Sequence, residues 1–165
     1  MKPVVYLHKT KQNALLRGHP WVFPKAISKT TGKLVTGDLV DVFSEDKEFL
    51  ATGVYNEHSL YRVRVLMRAG EMCASNTLAA IVLQRLKQAL TIRQCLNLSN
   101  EMTTAYRLFN SEADGLSGLT IDRFNQVCAI ASSAYWVEAN KEIIKQALGE
   151  LLPQDKIVWL AQKNL

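Results

Sequence analysis

Ser111-Glu112-Ala113-Asp114-Gly115-Leu116-Ser117-Gly118-Leu119-Thr120-Ile121-Asp122-Arg123-Phe124 is a two-glycine turn that runs straight into an apolar strand, with carboxylates on both sides. That combination invites comparison with a catalytic or phosphate-binding loop. A phosphate loop, however, needs backbone amides aimed out of a helix N-terminus. This turn feeds a strand, and Gly115 and Gly118 do not fit the G-x-G-x-x-G spacing. A general acid needs a pocket and a raised pKa, and nothing in the stretch specifies either. The turn is therefore expected to be structural or to form an interdomain surface, with direct contact to substrate as the alternative. Its candidate residues are Asp114, Gly115, Gly118, Asp122 and Arg123, the last two read as a local pair or a docking contact.

Outward from this turn, Ala105–Phe109, Leu119–Arg123 and Val127–Ala131 read as strands, and Asn125-Gln126 joins the last two into a hairpin. Ahead of them Leu78, Val82, Leu86 and Leu90 recur at helical spacing, in a helix that Ser75 or Asn76 would cap and that runs to about Leu96. A second helix is expected over about Trp136–Leu152, ended by Pro153, with Ile157–Leu160 as a final strand. Trp136 and Trp159 are assigned to this core. The result is an α-β-β-β-α-β layer domain over residues 73–165, preceded by a linker at Gly70–Asn76.

Residues 1–72 read differently. Val4–Leu7, Gly37–Val42, Phe49–Tyr55 and Tyr61–Leu66 are short strands separated by turns, which suggests a small β-barrel. Gln12–Arg17 is a helical turn stopped by Gly18, and His19-Pro20 forces extension. Gly53 interrupts its strand as a bulge or a close backbone approach. Alternation over Tyr61–Leu66 puts Tyr61, Val63 and Val65 on one face and Arg62, Arg64 and Leu66 on the other.

Composition narrows the function classes. Hydrophobic residues make up 48% of the chain, as in an ordinary globular protein, and no apolar run is long enough to span a bilayer. The N-terminus lacks the apolar core of a signal peptide, so a cytoplasmic location and no membrane partner are expected. Cys73, Cys95 and Cys128 are widely spaced, and His8, His19 and His58 have no metal-ligand spacing, so neither a disulfide framework nor a metal site is expected. The net charge is +5, and the excess is one-sided. Lys2, Lys9, Lys11, Arg17, Lys25, Lys29 and Lys33 all precede the first acidic residue, Asp38, whereas from Cys73 onward nine basic residues face eight acidic ones. A basic segment of this kind suits a polyanion, or is a solvated surface.

Four motifs occur in one order: Leu16-Arg17-Gly18-His19-Pro20-Trp21-Val22-Phe23; Gly37-Asp38-Leu39-Val40-Asp41-Val42; Gly53-Val54-Tyr55-Asn56 with His58-Ser59 and the strand Arg62-Val63-Arg64-Val65-Leu66; and the Glu112–Phe124 turn. In that order the chain resembles the N-terminal half of the S-adenosylmethionine-dependent methyltransferases that modify cytosine at carbon 5 in large-subunit ribosomal RNA. The family pattern differs in having GLPGL where this chain has Gly115-Leu116-Ser117-Gly118-Leu119, and often a proline where Glu57 follows Asn56. The missing proline loosens the turn through unfolded-state entropy.

The resemblance implies an α+β chain: an N-terminal PUA-like barrel, then the connecting α+β domain, with the Rossmann methyltransferase domain absent. The family's cofactor loop and catalytic cysteine would lie past Leu165, so no catalytic residue and no cofactor are expected within these residues. S-adenosylmethionine would serve the full-length parent, and ribosomal RNA and the missing methyltransferase domain would be partners. RNA contacts are expected at Lys9, Lys11, Arg17 and His19, with Trp21 stacking on a base, although Trp21 and Phe23 are assigned first to the barrel core. Arg62 and Arg64 form either a basic ridge for RNA or ion pairs with Asp38, Asp41 or Glu48. A free-standing RNA adaptor and a structural or dimerisation module, which would be a homodimer, are the competing readings.

Overall fold

The computed structural model describes residues 2–160. It divides into two compact units, Met1–Met72 and Cys73–Leu165, taken separately below.

The first unit contains β1 (Val4–Leu7), α1 (Asn13–Leu16), β2 (Trp21–Val22), β3 (Ile27–Thr31), β4 (Leu39–Ser44), β5 (Phe49–Tyr55) and β6 (Val63–Arg68). The strands form one sheet in the order β2-β6-β5-β4-β1-β3, antiparallel except where β1 runs parallel to β4. β2 and β3 lie at opposite ends of this order, yet Phe23–Ala26 alone joins them. Flat strands at ~4.8 Å spacing would set them roughly 24 Å apart. The short connection can span at most roughly 18 Å, so the sheet has to curl. The expected barrel is thus a half-barrel whose concave side holds the core, including Val5, Leu7, Leu15, Val40, Val42 and Val63.

Two details follow from the sequence as anticipated. Gly18 stops α1 at φ +97°, which favours glycine. Gly53 sits where the β5–β6 register shifts, and a Cβ there would lie 2.4 Å from the carbonyl oxygen of Arg64, so only glycine permits the strands to approach. The alternation at Tyr61 does not hold. Strand β6 begins at Val63, and the loop before it closes through the Asn56 amide donating to the Arg62 carbonyl. Freed from the pleat, Tyr61 puts its ring beside Trp21 and Arg64.

The second unit contains α2 (Leu78–Cys95), β7 (Ala105–Asn110), β8 (Leu119–Phe124), β9 (Val127–Ser132), α3 (Tyr135–Ala139), α4 (Lys141–Leu151) and β10 (Lys156–Trp159). Its sheet runs β10-β9-β8-β7, with β10 parallel to β9 and the others antiparallel. Ile81, Val82, Leu86 and Leu90 of α2 and Ile144 and Leu148 of α4 are buried, as are Ile121 and Ile130 of the sheet. Thr77, rather than Ser75 or Asn76, caps α2 by accepting from the Ala80 amide. The long second helix is broken at Asn140, whose φ of −118° is not helical and whose side chain donates to the Trp136 carbonyl. Trp136 is buried, but Trp159 is half-buried with its Nε1 donating to Glu138. Neither sheet is the doubly wound parallel sheet of a Rossmann domain.

Candidate nucleic-acid interface

On β2, Val22 points into the core, so its neighbours Trp21 and Phe23 point out. This corrects their assignment to the core: Trp21 is half-buried and Phe23 is 41% exposed. Trp21 stacks on Tyr61 with ring centroids 4.2 Å apart, and Phe23 meets the same ring edge-on at 6.0 Å. His19 packs at 5.5 Å from both Trp21 and Phe23, with its Nδ1 within hydrogen-bond distance of the Trp21 backbone. Arg64, the cross-strand partner of Trp21, lies 5.0 Å over the Tyr61 ring. The result is an ordered aromatic cluster with a cation on its flank.

Beside it lies a pocket of about 180 Å³, lined among others by Lys11, Leu15, Trp21, Phe23, Lys25 and Ala26. One wall belongs to α1, which Arg68 anchors by donating to the carbonyls of Leu15, Gly18 and His19 at 2.7–3.0 Å. These bonds satisfy acceptors that a helix end leaves open.

The basic residues separate into two groups. Lys2 pairs with Asp41, Lys9 with Asp46, and Lys29 lies over Tyr6. Lys11, Arg17 and Lys25 are exposed and have no carboxylate partner among the described residues. Arg17 caps the end of α1, and Lys11 and Lys25 border the pocket. Arg62 donates to the Glu57 carbonyl and lies 6.0 Å from the Tyr55 ring. Arg62 and Arg64 therefore attend different rings. Sequence reasoning did not select Lys25 or Tyr61 for this surface. The signal for Lys25 was available, because an inward Val22 turns Trp21 and Phe23 outward next to it.

The Ser111–Phe124 turn has a different character. Asp114 accepts from Arg93 Nη1 and Nη2 at 2.7 and 2.8 Å and from the Asn110 amide at 2.6 Å. Gly115 takes φ +89° and Gly118 φ +92°. The Gly118 amide donates to Ser111 Oγ, and the Gly115 amide to the Glu112 carbonyl. Amides spent inside the turn leave no nest for an anion. Asp122 and Arg123 are not a local pair: on adjacent strand positions they face opposite ways, Asp122 to Arg107 and Arg123 to Asp155. The Arg123 guanidinium is held strongly in its charged form by that bond. Cys128 is buried, and desolvation together with Asp155 pushes its thiol up to about 12. A nucleophilic cysteine needs the opposite shift. Among the described residues no cluster of histidine, cysteine or carboxylate could hold a metal, and no helix is long and apolar enough to cross a membrane.

Residues 5–68, which hold the curled sheet and its α1 corner, match the PUA-like domain family. Over 95% of its length the chain is 36% identical to Ribosomal RNA large subunit methyltransferase I of Aeromonas hydrophila and 38% identical to that of Aeromonas salmonicida. It spans 38% and 39% of the length of those relatives. Among solved structures it is similar to a candidate SAM-dependent methyltransferase from Streptococcus mutans, with TM-score 0.73 and 18% identity, covering 95% of this chain and 41% of that one. A methyltransferase structure in complex with SAH gives TM-score 0.75 at 17% identity, covering all of this chain and 44% of that one. These two likenesses concern the fold.

Proposed function

We propose that this chain is the RNA-binding region of an S-adenosylmethionine-dependent methyltransferase that acts on cytosine in large-subunit ribosomal RNA, in the cytoplasm. The PUA-like unit grips RNA, and the second unit connects it to a methyltransferase domain. The observation that carries the RNA reading is an aromatic-walled pocket lined by Lys11 and Lys25, with Arg17 at the end of α1, all three without a carboxylate partner among the described residues. Phosphate contacts supply affinity, and aromatic faces supply stacking. Identity over 95% of the chain to proteins named as ribosomal RNA methyltransferases supports the enzyme class.

S-adenosylmethionine would supply the methyl group in the whole protein. The described residues do not fit that cofactor: there is no doubly wound sheet, and the Gly115–Gly118 turn spends its amides internally. No step of methyl transfer is assigned to them, and the burial and raised thiol of Cys128 do not suit a nucleophile. The Asp114–Arg123 turn is proposed as a brace of the second unit. The test is a titration with ribosomal RNA fragments at two salt concentrations. Affinity that falls steeply with salt is expected. Absent binding would favour a structural or dimerisation module instead.

A further inference from the structure

We propose that the pocket walled by Trp21 and Phe23 receives one unstacked base of single-stranded RNA, with Lys11 and Lys25 holding the flanking phosphates. This deepens the RNA-binding reading above and rests on it.

Size argues first. At about 180 Å³ the pocket is smaller than the ~300–1,000 Å³ of a drug-sized site and several times the ~30 Å³ of a water molecule. That volume suits one nucleobase better than a base pair. Chemistry argues next. The lining combines apolar Leu15 and Ala26 with two aromatic rings and two lysines that have no carboxylate partner among the described residues. An apolar pocket with two cations in its lining matches a nucleotide, whose base is flat and whose two neighbouring phosphates are charged. No carboxylate or amide side chain lines the slot, so recognition is by ring face and tolerant of base identity.

Order argues third. Trp21 is fixed before any ligand arrives: Tyr61 stacks on it, His19 abuts its edge, and the His19 ring binds its backbone. A wall already in place loses little side-chain freedom on binding. Bases in a duplex are stacked and paired and cannot enter a concave slot without extrusion, whereas those of a single strand can.

The test uses the full chain and a short fluorescent oligouridylate, alone and annealed to its complement, followed by anisotropy. The single strand is expected to bind roughly tenfold or more tightly than the duplex, and Phe23→Ala to weaken single-strand binding by a similar factor while duplex binding stays unchanged. Phe23→Tyr keeps a ring and is expected to restore affinity. Circular dichroism melting confirms that the variants fold. Equal affinity for both RNAs, or no effect of Phe23→Ala, with salt-dependent binding intact, overturns the pocket and leaves the RNA-binding reading standing. No salt-dependent binding to either RNA overturns both. Competition by uridine monophosphate at concentrations near the oligonucleotide's own Kd overturns the proposal in favour of a free-nucleotide site.

Discussion

Asp155 binds Arg123 through two hydrogen bonds, from Nε at 2.6 Å and Nη2 at 2.8 Å, across 32 residues of sequence. Its side chain is 2% exposed, and it also accepts from the Cys128 thiol at 3.4 Å. This ties the segment before β10 to β8 and β9. Removing one partner of such a pair strands a charge away from water. Asp155→Ala is expected to destabilise the second unit by about 3–5 kcal/mol. The Arg107–Asp122 pair has the same bidentate form but is 47% and 36% exposed. Asp122→Ala is expected to cost no more than about 1 kcal/mol. Urea denaturation of both variants checks the contrast, and equal losses would contradict it.

Cys128 couples the stability of the second unit to pH. Burial, and then Asp155, raise its thiol from an ordinary value of 9.0 to about 12. Between those values the unfolded chain has lost the thiol proton while the folded chain keeps it. Stability from this group is therefore present below about pH 9 and is lost as pH rises towards about 12. The stability difference between the parent and Cys128→Ala is expected to shrink over that window and to be flat between pH 6 and about 8. Thiol alkylation at neutral pH is expected to modify exposed Cys95 promptly and to reach buried Cys128 only on unfolding.

Three glycines at positive φ should rank in cost. Gly18→Ala meets nothing within 4 Å and incurs the left-handed backbone penalty of about 1 kcal/mol alone. Gly115→Ala also presses on the Arg85 side chain at 2.7 Å, and a long side chain can give way. Gly118→Ala would place its Cβ 2.4 Å from the Cβ of Ala134, which cannot. The expected order of destabilisation in urea is Gly18, then Gly115, then Gly118, with the last well above the first.

Period and punctuation made much of the fold legible. The apolar spacing of Leu78 to Leu90 located α2, the turn and alternating strand read over Gly37 to Val42 located β4, and Gly18 and Asn125 marked a helix stop and a hairpin turn. What failed depended on contacts remote in sequence. Asn140 breaks a helix whose apolar spacing runs through it, because its side chain competes for the Trp136 carbonyl. Tyr61 obeys the period of two on paper but lies before the first β6 residue. Arg123 stands next to Asp122 in sequence yet faces Asp155, since neighbours on a strand point apart. At the candidate interface, charge alone could not distinguish Lys9, which has Asp46, from Lys11.

A cation already paired gives little when RNA arrives, because its phosphate contact replaces an existing one. Lys9 is in that position, 3.1 Å from Asp46. Lys11, Arg17 and Lys25 have no such partner among the described residues, so each phosphate contact they make releases counterions in full. Each single change of these three to alanine is expected to weaken binding to ribosomal RNA fragments and to lower the slope of log affinity against log salt by about 0.7–0.9. Lys9→Ala is expected to leave both nearly unchanged. Titrations across a salt series measure affinity and slope together. A loss at Lys9 equal to that at Lys11 would show that the ion pairs in this structure do not govern the RNA surface.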